Sequence, residues 1–410
     1  MNDVRSTQNN STATVSDAAK ADGRFAPLLA LGGLAAIVVA FFVGLTYRDN
    51  LAYFFHSYLT QFAFFLSLSL GGLAFVLIQH VSRAGWSVTA RRVAEITAAN
   101  MPILAILFLP IIVPVLLGST SLFPWTDPQR VAESHLLEHK APYLNVPFFA
   151  VRAVLCLAAW WLLARFYFRT SIEQDRLADS ALTSKMERFA GPAILVFAVT
   201  VTIAAIDWLM SLSPEWFSTI FGLYYFSGAI VGGIALQILI LYFLQRRGVI
   251  GNEVTIEHYH DLGKLLFGFV IFWGYIAFSQ YMLIWYANIP EETQWYLPRQ
   301  AGPWVGVSLA LLFGHLILPF LGLLARAPKR IPIVLAAWAA WLLVFHWLDV
   351  YYLVMPSLEY PSLPFGIIDV LLILGLGAIY VAGLVRIASG VAPVPQGDPR
   401  TDEALAFENI

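Results

Sequence analysis

Apolar and polar positions fall in long blocks along this chain, without the two- or four-residue alternation of a surface strand or helix. Taking about 20 apolar residues per membrane crossing, the blocks mark ten runs, at roughly 27–45, 58–81, 96–117, 145–168, 189–211, 217–244, 262–287, 303–324, 331–353 and 364–387. Lipid offers backbone groups no partners, so every run is expected to be a helix. The pattern therefore predicts an all-α integral membrane protein with about ten transmembrane helices. Pro110 and Pro114 should bend the third helix and Pro319 the eighth, because proline removes a backbone donor and crowds the preceding turn.

The remaining segments are short. Residues 1–24, rich in Ser, Thr, Asn and Ala without an apolar stripe, read as a disordered tail, residues 25–388 as the membrane domain, and residues 389–410 as a second tail. No small-x-small cleavage site follows the first run before Tyr47-Arg48-Asp49, so it is read as a retained span. The longest loop, roughly 118–144, contains Phe123-Pro124-Trp125-Thr126-Asp127-Pro128, and the charged stretch from about 169 to 188 is expected to form a short surface helix. Neither is large enough for a soluble catalytic domain.

Composition supports the membrane reading and narrows the chemistry. The chain is 59% hydrophobic and 12% charged, with a mean hydropathy of +0.72, far too apolar for a soluble surface. A net charge of -2 without Lys/Arg-rich blocks argues against a nucleic-acid partner. Cys156 is the single cysteine, which excludes an internal disulfide, a thiolate-ligated iron–sulfur cluster and Cys-x-x-Cys-His haem attachment. With an amino terminus in the cytoplasm, only Arg48, Arg130, Lys140, Arg152 and Arg299 of the 24 Lys and Arg residues fall outside. The positive-inside rule then puts both termini in the cytoplasm.

Against this background the intramembrane ionisable residues stand out: Asp207, Asp261, Lys264, His315, His346, Asp349 and Asp369. A central Asp or Lys costs roughly 2.5–3.5 kcal/mol on insertion scales, so each needs a partner, water or a task. Depth counting at about 1.5 Å per residue puts Asp207, His346 and Asp369 near the outer face with Asp349 shallower still, as one outer cluster. His346 and Asp349 are three apart and share a face. At the inner end, His258, His260, Asp261 and Lys264 open the seventh span, with Asp261 and Lys264 spaced to pair, and Tyr275, Ser279, Gln280 and Tyr281 deeper in. His315 lies mid-span. The set sketches two proton half-paths joined by His315, with Asp207 and His315 the leading candidates; the same residues also suit helix clamping by hydrogen bonds.

Other chemistry is weaker. A height difference of roughly 10 Å between His315 and His346 makes them poor axial ligands to one haem. His135-Leu136-Leu137-Glu138-His139 matches the His-x-x-Glu-His zinc pattern, but in a loop beside Lys140 a solvated or docking role is favoured over metal. No phosphate-binding Gly-Lys loop is present. Trp160, Trp161, Trp273, Trp285 and Trp295 are expected in interface belts or packing. A faint echo between Asp207-Trp208-Leu209 and His346-Trp347-Leu348, four spans apart, suits a duplicated four-helix bundle.

Several stretches resemble one family: Lys140-Ala141-Pro142-Tyr143-Leu144-Asn145-Val146-Pro147-Phe148-Phe149 with Arg152; Asp207-Trp208-Leu209-Met210-Ser211-Leu212 and Trp216-Phe217-Ser218-Thr219; His260-Asp261-Leu262-Gly263-Lys264; and Phe278-Ser279-Gln280-Tyr281-Met282-Leu283-Ile284-Trp285-Tyr286, leading to Asn288-Ile289-Pro290-Glu291-Glu292-Thr293. Over roughly residues 130–360 the chain is similar to the second polysulfide-reductase-like membrane subunit of alternative complex III, the bacterial quinol:cytochrome c oxidoreductase. The resemblance implies two four-helix bundles, spans 2–5 and 6–9, flanked by spans 1 and 10, in the bacterial cytoplasmic membrane. It implies a multihaem cytochrome c subunit, an iron–sulfur subunit and a sister ten-helix NrfD-like subunit as partners. It also implies a scaffold and proton-path subunit without redox centres of its own, in which quinone or menaquinone belongs to the complex, and no quinone ligand transfers residue by residue. The rival reading is a free-standing proton-coupled secondary transporter.

Overall fold

The computed structural model describes residues 23–408 apart from 48, 50, 359 and 361. The expected tail over 1–24 therefore lies outside the described residues except for Gly23 and Arg24, as does Arg48. Among the described residues the chain is helical with no strand, and ten helices are long and apolar enough to cross a membrane. They are α1 Gly23–Gly44, α2 Ala52–Val81, α3 Val88–Leu116, α4 Val146–Leu177, α5 Ser180–Leu212, α6 Phe221–Arg246, α7 Ile256–Ala287, α8 Trp304–Leu324, α9 Pro332–Leu358 and α10 Ile367–Ala388. This is a multi-pass membrane protein.

Two rings of four helices make the molecule. In one, α2 packs on α3 and α5, and α4 on α3 and α5; in the other, α6 packs on α7 and α9, and α8 on α7 and α9. The rings share a seam between α2 and α6, and α1 and α10 lie together against α2. The seam is close because it is built from small residues: a Cβ on Gly233 would lie 2.6 Å from the Gly71 carbonyl carbon. Small residues let backbones approach where lipid supplies no hydrophobic drive. In consequence α2 is buried nearly all round, and the polar residues it carries face protein.

The helices outrun their apolar cores. A hydrocarbon layer of about 30 Å needs about 20 residues, whereas α4 has 32. The charged stretch 169–188 thus forms no separate surface helix. It is absorbed into α4 and α5, which are divided only by Ala178, in the left-handed region, and Asp179, whose carboxylate accepts from Ala181 N at 2.8 Å to cap α5. Likewise α3 starts at Val88, not near 96, which carries Arg91, Arg92 and Glu95 into the interior.

Pro110 and Pro319 disturb their helices as expected, whereas Pro114 lies inside the unbroken stretch Leu109–Leu116. The α3 helix is interrupted at Phe108, ahead of Pro110. In α8, Pro319 has no N–H for the His315 carbonyl and crowds it, and the chain answers with a π-helical turn over Leu312–Ile317. The indole of Trp341 on α9 donates to the Gly314 carbonyl at 2.7 Å, satisfying an acceptor within this widened turn.

Candidate functional site: a buried histidine and aspartate cluster

The widened turn of α8 places His315 against α7 and α9. Its ring centroid is 3.9 Å from that of Trp273 and 6.3 Å from that of His346, with the two imidazoles 30° from parallel. This corrects the expected height difference. α9 continues past Val354 as a further turn to Leu358, so His346 lies about 18 Å from that end and His315 about 17 Å from the matching end of α8. The depth argument against axial ligation thus falls. Instead, His346 is packed closely, its ring against Phe64 at 5.7 Å and its Cδ2 only 2.6 Å from where a Cβ on Gly232 would be.

His346 and Asp349 do share a face of α9, and both lie over Gly228. A Cβ there would sit 3.1 Å from His346 Nδ1 and 3.3 Å from Asp349 Oδ2. Asp349 accepts from Tyr224 OH at 2.5 Å and from Trp273 Nε1 at 3.0 Å. His346 Nε2 meets Ser67 Oγ at 2.7 Å, while Ser67 donates its one proton to the Phe64 carbonyl at 2.6 Å. Hydrogen-bond bookkeeping then assigns the N–H to His346 Nε2 and leaves Nδ1 as a lone pair without a partner among the described residues. Both nitrogens of His315 are likewise without partners there, although its side chain is fully buried. Three protonatable groups from α8 and α9 are thus gathered near mid-membrane on a platform of α2, α6 and α7.

The other candidates part company with this centre. Asp207 is held by Arg152 in a bidentate pair, Nε to Oδ2 at 2.6 Å and Nη2 to Oδ1 at 3.1 Å. The same guanidinium donates to the Tyr143 carbonyl at 2.9 Å and lies over the Tyr143 ring at 3.8 Å. Asp207 is therefore a clamp between α4 and α5. Asp369 caps its own helix: it accepts from Gly366 N at 2.9 Å, from Ser57 Oγ at 2.7 Å and from Tyr53 OH, which ties α10 to α2. The single outer cluster expected of Asp207, His346, Asp349 and Asp369 is thus three separate assemblies, because the four side chains leave their helices toward different neighbours.

At the other end of the molecule Asp261 and Lys264 do pair, at 2.5 Å, with Lys264 half-exposed. Glu257 is bound by Arg330, and Lys329 donates to the Leu323 carbonyl at 2.6 Å. Burial, then repulsion from Lys264, holds Lys329 below its ordinary pKa. Trp273 is twelve helical steps along α7 from Asp261, about 18 Å, and Leu266 and Val270 in that interval are fully buried. Nor do Tyr275, Ser279, Gln280 and Tyr281 extend this group. Tyr275 is 64% exposed on the lipid side, and Gln280, near the far end of α7, accepts from Ser218 Oγ at 2.8 Å and donates to Tyr296 OH at 3.1 Å.

Two buried cationic sites are not evident from the sequence. Arg299 donates to the carbonyls of Trp295, Tyr352 and Leu353 at 2.7, 3.2 and 3.1 Å and stacks on Trp295 at 3.5 Å. Burial lowers its pKa to about 10, so it stays charged at neutral pH. Arg91 and Arg92 are fully buried among carboxylates at the end carrying the C-terminal tail. Ser67, Tyr224 and Gly228, which shape the centre, carry no motif; only the placement of α2 and α6 at the seam reveals them. His135 and His139 stack at 5.9 Å on a short helix, and no group of three metal-ligating side chains occurs among the described residues.

Compared with known proteins, the chain matches no protein-family model and no curated protein sequence.

Proposed function

We propose that this chain is a proton-handling and scaffolding membrane subunit of a quinol:cytochrome c oxidoreductase of the alternative complex III type. The observation that carries the proton role is the central cluster. His315, His346 and Asp349 lie together in the interior, and three imidazole nitrogens there have no partner among the described residues. Ionisable groups kept at such depth at a cost of several kcal/mol are retained for transfer more readily than for packing. Clamping already has its own residues, since Asp207 and Asp369 are fully engaged in tying helices together. The motifs from Lys140 to Thr293 support the choice of complex, and a single buried cysteine fits a chain whose electrons travel on partners.

In this reading both termini face the cytoplasm. Asp261 and Lys264 lie at the cytoplasmic ends of the second ring, and the central cluster holds the proton between the two faces. A second reading, a free-standing proton-coupled transporter, draws support from the π-turn at the middle of α8, since interrupted helices line transport sites.

Purification in mild detergent through a tag on this chain, followed by visible spectroscopy, separates the two. The complex reading expects a c-type haem spectrum and an iron–sulfur partner in the preparation. A haem-free, single-chain preparation that retains the ten-helix fold contradicts it and favours the transporter.

A further inference from the structure

A second buried polar site lies in the first ring, away from the histidine centre. Arg91 pairs with Glu95 at 2.9 Å and with Asp398 of the C-terminal tail at 2.9 Å. Arg92 pairs with Asp175 of α4 at 2.5 Å and approaches Glu95 at 3.5 Å. The tail holds the site closed. Gln396 N donates to Asp175 Oδ1 at 2.9 Å, Arg400 binds Glu187 at 3.1 Å, and Phe407 packs on Trp86 at 6.2 Å.

Despite these pairs, the site is under-satisfied. Both nitrogens of His80, Thr89 Oγ1, Arg91 Nη1, Arg92 Nη1 and Ser171 Oγ are buried with no hydrogen-bonding partner among the described residues. His80, Arg91 and Arg92 have no exposed surface at all. Buried polar groups are rarely left unpaired, and such a concentration of them points to a bound ligand. The charges indicate which kind. Arg91, Arg92 and Arg400, with the exposed Arg83 on Glu187, are matched by Glu95, Asp175, Glu187 and Asp398, so no further anion is called for, and no group of three metal-ligating side chains occurs among the described residues. The unpaired set also mixes donors with the two-faced imidazole and hydroxyls, which a neutral molecule able to donate and accept can serve.

We infer that this site binds a cluster of ordered water between α2, α3 and α4, sealed from the bulk by the C-terminal tail. The inference does not depend on the proposed function, because it rests on hydrogen-bond and charge balance alone.

Radiolytic hydroxyl-radical footprinting of the full chain in its native assembly tests it, since such labelling reports water next to a side chain whatever its exposure. Tyr167 packs against His80, ring centroids 5.2 Å apart, and is 1% exposed. Tyr58, with no exposed surface and its hydroxyl on the Leu107 carbonyl at 2.8 Å, is the dry control. Labelling of Tyr167 several-fold faster than Tyr58 is expected. Equal, slow labelling of both overturns the water site. A density map of the same assembly at a resolution that shows ordered water distinguishes the ligand: separate peaks at hydrogen-bond distance from His80 and Arg92 are expected, and tetrahedral density, the mark of a phosphate or lipid headgroup, overturns it.

Discussion

Asp207 shows how far a residue's neighbourhood decides its role. An aspartate inside a span reads as a proton carrier from sequence, yet beside Arg152 it is one half of a bidentate pair with almost no exposure. Removing one partner of a buried pair leaves an uncompensated charge, at a cost of about 3–5 kcal/mol. Asp207→Asn should therefore lower the unfolding free energy in detergent by that order, and Arg152→Met with Asp207→Leu should recover most of the loss. A single variant as stable as the parent would contradict the clamp. The central histidines illustrate the converse. Their types and spacing are legible in the sequence, and so is the shared face of His346 and Asp349. Their proximity across α8 and α9 is not, because it depends on where α9 ends, and residues past Val354 lack the apolar signal that marks a span.

At the scale of elements, hydropathy locates all ten helices but misplaces several ends, since it detects contact with lipid and misses helix that continues into polar surroundings. α3 is the clearest case: Arg91, Arg92 and Glu95 read as loop charge, although they are helical and buried against the tail. The proline in α8 is legible as a distortion, but its form is not. A π-turn arises here because Pro319 disturbs the bonding of the turn that contains His315, and Trp341 reaches across to Gly314. Trp341→Phe takes away that donor and leaves a carbonyl facing an apolar environment, so a loss of about 1–3 kcal/mol is expected. The denaturation midpoint in detergent reads it, and an unchanged midpoint would show that the indole bond does not hold the turn.

For the molecule as a whole, Asp207-Trp208-Leu209 and His346-Trp347-Leu348 fall at matching places in the two four-helix rings, on α5 and α9, the helices that pack on the seam helices α2 and α6. The two rings differ in chemistry. The first invests its buried charge in an ion-paired site under the tail, where His80 also has unpaired nitrogens, and in a clamp at the opposite end, while the second brings two histidines and an aspartate together at its centre. On this account the first ring is rigid support and the second is the proton-handling half. Proton handling by the second ring is read by counting protons moved per electron in vesicles reconstituted with the whole assembly, parent against Asp349→Asn, with quinol oxidation followed in the same sample. Asparagine can turn its one oxygen to Trp273 Nε1 and donate its amide to the Tyr224 oxygen, so it keeps the size and two bonds of Asp349 but lacks the charge. A lower proton-to-electron ratio with electron transfer retained is expected; an unchanged ratio overturns proton handling at Asp349.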